Sequence, residues 1–296
     1  MTQLRKRMLE ELQRRNYSQS TIESYLHGVE DFARYFGKRP DQLNQEHIRR
    51  YQLHLIEDRK LATNTIVARI AALRFFFVKT LRRPYQREDL PSPKRPKRLP
   101  TVLSQQEVAR LIDSADGLFH YAILMTLYAT GMRRAELCHL KVSDIDSPRM
   151  VIHVRKGKGN RDRDVPLSPK LLEALRTYWR WKKPQTWLFP SRGIPDADKP
   201  ITVKTVYFAV RGAAKRAGLQ KRTSPHTLRH SWATHLLENG ADLRTIQMLL
   251  GHADLEHTTV YLHMSQRHLQ AVPNPIEGIE VVGPEAVQRS SEPPSQ

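Results

Sequence analysis

At 296 residues, with 49 Lys and Arg against 30 Asp and Glu and a formal net charge of +19, the chain has the length for two separately packed domains and the cation excess that suits a polyanionic partner. Its single cysteine, Cys138, excludes an intrachain disulfide and a cysteine-based zinc site. No secretory leader and no apolar run of about 18 residues occurs, so a soluble, cytoplasmic protein without a membrane span is expected.

Residues 1–85 read as a bundle of four helices. Apolar side chains recur at helical spacing at Leu4, Met8 and Leu12, then at Ile22, Tyr25, Leu26, Val29, Phe32 and Phe36. The same spacing continues at Ile48, Tyr51 and Leu55, and at Ile66, Ile70, Leu73 and Phe77. Ser20 with Glu23 predicts a capping box for the second helix, and Asn44 and Thr63 predict N-caps for the third and fourth. The aromatic residues Tyr25, Phe32, Phe75, Phe76 and Phe77 are expected in the core rather than stacked on bases.

Residues 86–100, QREDLPSPKRPKRLP, interleave prolines with Lys94, Arg95, Lys97 and Arg98, a composition that breaks helices and favours extended backbone. They read as a basic linker, able to lie along phosphates if both flanking domains grip one duplex.

The second domain, 101–275, opens on a capping box of Ser104 and Glu107. A buried helix running through Phe119 to Thr130 and another from Met132 to Leu140 are predicted to follow. Met150–Val154 and Asp162–Val165 read as strands around the turn KGKGN. Ser168 with Pro169, and Ser224 with Pro225, mark two further helix starts, while Gly240 and Gly251 mark helix ends. The fold class is therefore mainly α with a small β-sheet. Residues 276–296, with Glu277, Glu280, Glu285 and Glu292 among prolines, read as a disordered tail.

Within the second domain, residues suited to phosphate chemistry are scattered along the chain: Arg133, Lys158, His226, Arg229, His252 and Tyr261. They amount to a nucleophile, cations for non-bridging oxygens and groups able to move protons, sufficient to cut a phosphodiester without a metal. His226 and Arg229, three apart near a helix start, share a face beside backbone N–H groups that themselves favour an anion. Lys158, at a glycine-flanked turn, is placed as a mobile general acid, or is simply a solvated turn lysine. Arg133 is either bidentate to an oxyanion or held by Glu136 one turn on. By the helical period Arg134 points about 100° away, so one of the pair faces the site.

The segments ATGMRRAEL, GKGNRDRDVPL and HTLRHSWATHLLENGADLRTIQMLLGH, with Tyr261 nine residues after His252, resemble a tyrosine recombinase of the phage-integrase family, closest in plan to the Xer and integron integrases. The resemblance covers nearly the whole chain. It implies that 1–85 is a SAM-like core-binding domain and 101–275 the catalytic domain. It also implies Tyr261 as nucleophile, Arg133 and Arg229 clamping the scissile phosphate, Lys158 as general acid, and His226 and His252 assisting proton transfer and phosphate binding. The implied reaction is site-specific cleavage and rejoining through a 3′-phosphotyrosine, without ATP, metal or other cofactor. Its implied setting is a homo-tetramer on paired recombination sites in double-stranded DNA.

Three other readings start from the same residues. A type IB topoisomerase would relax DNA as a monomer with a similar pocket. A metal-dependent nuclease would draw ligands from His226, His230, His252, His257, His263 and His268, but the chain lacks an HExxH-like carboxylate. A non-catalytic DNA-binding protein would keep the pocket for binding alone.

Overall fold

The computed structural model describes residues 2–85, 91, 93–94, 99–155, 162–191, 199–251 and 254–262. The chain divides into two units, Met1–Arg98 and Leu99–Gln296. Lys158, His252, much of the basic linker and the 276–296 tail lie outside the described residues.

In the first unit the apolar spacing becomes four helices, α1 (Gln3–Arg14), α2 (Gln19–Phe36), α3 (Gln45–Glu57) and α4 (Thr63–Arg74), the last continuing into a π-helical turn at Phe75–Thr80. Met8, Leu12, Phe32, Tyr51, Leu55, Ile70 and the run Phe75–Phe77 are buried together, as their periodicity requires. The π turn carries three successive phenylalanines, all buried. The Tyr51 hydroxyl donates to Asp31 at 2.6 Å, and Arg59 donates to the same carboxylate at 2.8 Å, fixing α3 against α2 through a partly buried charge.

Two helix starts differ from expectation. Ser18, not Ser20, caps α2, its hydroxyl accepting from the Thr21 N–H. Thr63 is the first residue of α4 and Ala62 precedes it without a side-chain cap. Asn44 caps α3 as anticipated, accepting from the His47 N–H.

The second unit is built around α6 (Gly117–Thr130), whose Phe119, Ala122, Ile123, Leu124 and Leu127 are all buried. Against it pack α5 (Gln105–Asp113), α8 (Pro169–Lys182), α9 (Val203–Arg216) and α10 (Pro225–Glu238). The starts of α5, α8 and α10 follow the sequence: Ser104 and Glu107 exchange both capping-box bonds, and Ser168 and Ser224 accept from the N–H groups of Leu171 and Thr227. The α9 helix has no counterpart in the sequence reading.

The sheet is antiparallel in the order β1 (Ile145–Asp146), β2 (Val151–Val154), β3 (Arg163–Pro166), with Ile152 opposite Val165 and Val154 opposite Arg163. Met150, expected in β2, instead adopts φ +54 before it. The helix expected from Met132 to Leu140 is only α7 (Arg134–Cys138). Arg133 therefore precedes the helix in extended conformation, and the angle between Arg133 and Arg134 does not follow the helical period.

The chain ends its described course in α11 (Leu243–Leu250) and α12 (Glu256–Thr259), followed by Tyr261. Asn239 caps α10 and Gly240 follows it at φ +93, whereas Gly251 is itself the cap of α11.

Between α6 and α7 the chain turns at Gly131, which has φ +59 and lies under the Trp232 ring of α10; a Cβ there would sit 2.2 Å from Trp232 Cε3. Strain from the left-handed backbone and overpacking act together at this position. Gly131→Ala should lower stability by about 2–4 kcal/mol, read as a reduced midpoint of thermal or urea unfolding, unless Trp232 leaves its site.

Candidate active site

The site is assembled from the ends of short elements. The turn after α6 delivers Arg133, α10 delivers His226, Arg229 and His230 from its first turns, β3 delivers Arg163, and the segment after α12 delivers Tyr261.

Three of these side chains meet at one place, the C-terminal end of α11. Arg163 Nε donates to the Leu249 carbonyl at 2.7 Å, Arg229 Nη2 to the Leu250 carbonyl at 2.7 Å, and Arg133 Nη2 to the Gly251 carbonyl at 3.1 Å. The last carbonyls of a helix have no partners within it and carry the negative end of its dipole, so they are natural acceptors for guanidinium groups. Gly251 closes α11 in the left-handed region, and a Cβ there would stand 3.3 Å from Arg163 Nη1. Arg229 also donates to the Gly131 carbonyl at 2.8 Å, tying the α6–α7 turn to α10.

One carboxylate balances this crowd. Glu136 on α7 accepts from Arg163 at 2.7 and 3.0 Å and from Arg133 Nη1 at 2.9 Å, and it accepts the Arg133 N–H at 2.8 Å. Burial alone would raise its pKa, but the Arg163 and Arg133 bonds and charges take it down to about 2. Of the two possibilities open for Arg133, the bond to Glu136 is formed, and it leaves the guanidinium among the other site residues.

Burial, then the neighbouring Arg133 charge, brings the Arg229 pKa down to about 10, so the buried guanidinium still carries its charge at neutral pH. Tyr261 is almost fully buried, 1 % exposed, among Trp232, Ala233, Leu237, Ile246 and Leu250. Burial raises its pKa, and the Arg229 and Arg133 charges act in the opposite direction. His226 keeps an exposed face, yet the loss of water around part of its ring, followed by Arg229, Arg134 and Arg133, lowers its pKa.

Arg133, His226, Arg229 and Tyr261 are thus brought into one electrostatic cluster. Arg134 is exposed, though its charge reaches His226. Lys158 falls within the undescribed stretch between β2 and β3, and His252 immediately follows Gly251. Among the described residues, no group of three or more His, Cys, Asp or Glu is placed to hold a metal ion. No helix among them is long and apolar enough to cross a membrane.

Sequence reasoning did not single out Arg163, and it raised His230 only as a possible metal ligand. Arg163 occupies an inward position on a strand, a signal that alternation along β3 could have supplied. His230 lies four residues after His226 on the same helix face, and its Nδ1 is 3.3 Å from the Tyr261 hydroxyl.

The low pKa of Glu136 has a consequence for stability. A carboxylate whose folded pKa lies at about 2 against an ordinary 4.5 stabilises the fold fully above the ordinary value and loses that contribution as pH falls through about 2. The contribution is on the order of 3 kcal/mol. In urea unfolding at a series of pH values, Glu136→Gln should be less stable than the unchanged protein at pH 7, and the gap should narrow between about pH 5 and pH 2.

Comparison with known proteins agrees with this geometry. Residues 101–268 match the phage integrase family, and residues 4–87 match the phage integrase N-terminal SAM-like domain. A Sinorhizobium fredii protein with the provisional name integrase/recombinase y4qK is 50% identical over 278 residues, covering 94% of this chain and 89% of that protein. Tyrosine recombinase XerC of Bacillus pumilus is 36% identical over 277 residues, covering 86% of this chain and 90% of its own. The crystal structure of XerA recombinase superposes with TM-score 0.53 at 34% identity, covering 90% of this chain and 95% of that one. A lambda integrase tetramer bound to a Holliday junction shares the fold, with TM-score 0.69 at 19% identity over 86% of this chain and 75% of that one. The chain belongs to the phage integrase family of tyrosine recombinases, enzymes of site-specific DNA recombination.

Proposed function

We propose that this recombinase cuts and rejoins DNA strands with Tyr261 as its nucleophile. The observation that carries the reading is the placement of the Tyr261 hydroxyl within the field of two arginines, Arg133 and Arg229, in a buried cluster. The tyrosine oxygen attacks the scissile phosphorus, the bond from phosphorus to the 5′-oxygen breaks, and a 3′-phosphotyrosine conserves the bond energy. Arg133 and Arg229 hold the non-bridging oxygens, whose added charge in the transition state a dry, preorganised site stabilises most. Lys158 gives a proton to the leaving 5′-oxygen, while His226 and His252 assist proton transfer and phosphate binding. A 5′-hydroxyl from a partner strand then reverses the step on a new junction, so neither ATP nor a metal is consumed.

Function at paired sites calls for a homo-tetramer on two duplexes, and the family and its DNA-bound structures support that arrangement. The assignment of residues 1–85 to core-site binding, 86–100 to a basic strap and 101–275 to catalysis follows the family matches and the charge of the chain. Such an enzyme acts in the cytoplasm, on the nucleoid.

The test is covalent trapping on a nicked suicide duplex containing the cognate site, resolved on a denaturing gel in EDTA. The unchanged protein should give a shifted protein–DNA band and Tyr261→Phe none. Arg229→Ala should slow band formation by roughly 10²–10³. A band that persists in Tyr261→Phe would remove Tyr261 from the reaction. Binding to the same duplex should weaken steeply with added salt, through release of counterions from the phosphates, and should fall again on removal of residues 1–85.

A further inference from the structure

His230 has no part in the recombinase roles assigned so far, yet among the described residues its side chain meets the Tyr261 hydroxyl. It lies one turn beyond His226 on α10, its ring centre is 5.8 Å from that of Tyr261, and Nδ1 is 3.3 Å from the hydroxyl oxygen. We propose that His230 is a further catalytic residue of the cleavage step, orienting the Tyr261 hydroxyl through Nδ1 and accepting its proton as the oxygen attacks phosphorus. The inference rests on the reading of Tyr261 as nucleophile.

This role requires one tautomer of His230. For Nδ1 to accept from the hydroxyl it must be unprotonated, which leaves the ring hydrogen on Nε2. The surroundings keep the ring neutral: burial, followed by His226 and Arg229 on the same helix, lowers its pKa to about 4. From the other elements the site is faced by Arg133, whose charge acts on both His226 and Tyr261, and by Tyr261 itself. Glu136, the carboxylate of α7, is engaged by Arg133 and Arg163. With His230 neutral and accepting, the tyrosine hydrogen is directed to α10 as the oxygen approaches phosphorus. A separation of 3.3 Å is long for such a bond, and contacts of this kind tighten when substrate fills the site.

The proton balance closes in both directions. In cleavage the hydroxyl proton moves to His230 Nδ1, the bond from Tyr261 oxygen to phosphorus forms, and the bond to the 5′-oxygen breaks, that oxygen taking a proton from the general acid. In rejoining, the incoming 5′-hydroxyl gives up its proton to that group as its oxygen attacks, the phosphotyrosine bond breaks, and the His230 imidazolium returns its proton to Tyr261. A base of pKa about 4 is weak for this work, but after burial and His226 the Arg229 charge supplies part of that lowering. A bound phosphodiester offsets the Arg229 charge, raising the His230 pKa toward the range where general bases act efficiently.

The experiment uses the full chain and single-turnover cleavage of the suicide duplex at saturating DNA, across pH, with the unchanged protein, Tyr261→Phe, His230→Asn and His230→Ala. Asparagine keeps an acceptor near the position of Nδ1 but cannot take a proton. Both His230 variants should bind the duplex normally and cleave on the order of 10²-fold more slowly at neutral pH. The unchanged protein should reach a plateau with rising pH, whereas His230→Asn should keep gaining about tenfold per pH unit, and added imidazole should accelerate His230→Ala. Wild-type rates in His230→Asn, or one slowing factor at every pH with no imidazole rescue, overturn the proposal while leaving Tyr261 as nucleophile. Cleavage by Tyr261→Phe at the unchanged rate overturns the reading of Tyr261 and this inference with it.

Discussion

The C-terminus of one short helix organises the site. Leu249, Leu250 and Gly251 present three successive carbonyls, and each accepts from an arginine of a different element: β3, α10 and the turn before α7. Two short elements are involved, β3 with four residues and α7 with five, and neither fixes a side chain by its own rigidity. The shared acceptor does so instead. A helix end supplies oriented partial negative charge at no cost in net charge, which allows three guanidinium groups to approach one another while Glu136 supplies the single full counter-charge. The cluster remains cationic overall, and burial first, then its positive charges, lowers the pKa values of His226, His230 and Arg229. Such a site suits an anion, and a phosphodiester carries one negative charge on oxygens of suitable geometry.

A second constraint holds the arginines to Tyr261. Trp232 packs over Gly131, and Arg229 donates to the carbonyl of that same glycine, so the turn carrying Arg133 is bound to α10 by both an apolar and a polar contact. Trp232 also belongs to the apolar cluster that encloses Tyr261 with Ile246 and Leu250. The packing of a few large side chains thereby sets the positions of charges, as electrostatic preorganisation requires.

Much of the fold was legible in the sequence because its helices are amphipathic and their starts are marked by side chains. The spacing of Met8, Leu12, Phe32, Tyr51 and Ile70 located the first bundle, and Ser104 with Glu107 marked the start of α5 to the residue. The misjudged places are those where periodicity has little length to act on or where two cap residues compete. Ser18 and Ser20 stand two apart and both suit an N-cap; Ser18 accepts from the Thr21 N–H and decides the start of α2. The strand β1 has two residues, too few for an alternating pattern, and α7 is broken at its start by the extended Arg133. At the site, residue types and order along the chain pointed to Arg133, Arg229 and Tyr261. Alternation with Val165 could place Arg163 on the inward side of β3, but its reach to α11 joins residues 86 apart in the chain and is not visible locally.

The burial of Tyr261 bears on when its hydroxyl becomes reactive. Burial raises its pKa and the two arginines only partly oppose the rise, so the oxygen keeps its proton at neutral pH. A phosphodiester entering between those arginines takes up their charge, which removes their help in stabilising a tyrosinate. Free ionisation of the tyrosine before attack is therefore least favoured when DNA is bound, and the proton has to leave as the new bond to phosphorus forms. His230, within reach of that hydroxyl and held neutral by burial and then by the His226 and Arg229 charges, meets the requirement on the proposed reading. Phosphate binding would then do two things at once: place phosphorus before Tyr261 and strengthen the group proposed to receive its proton.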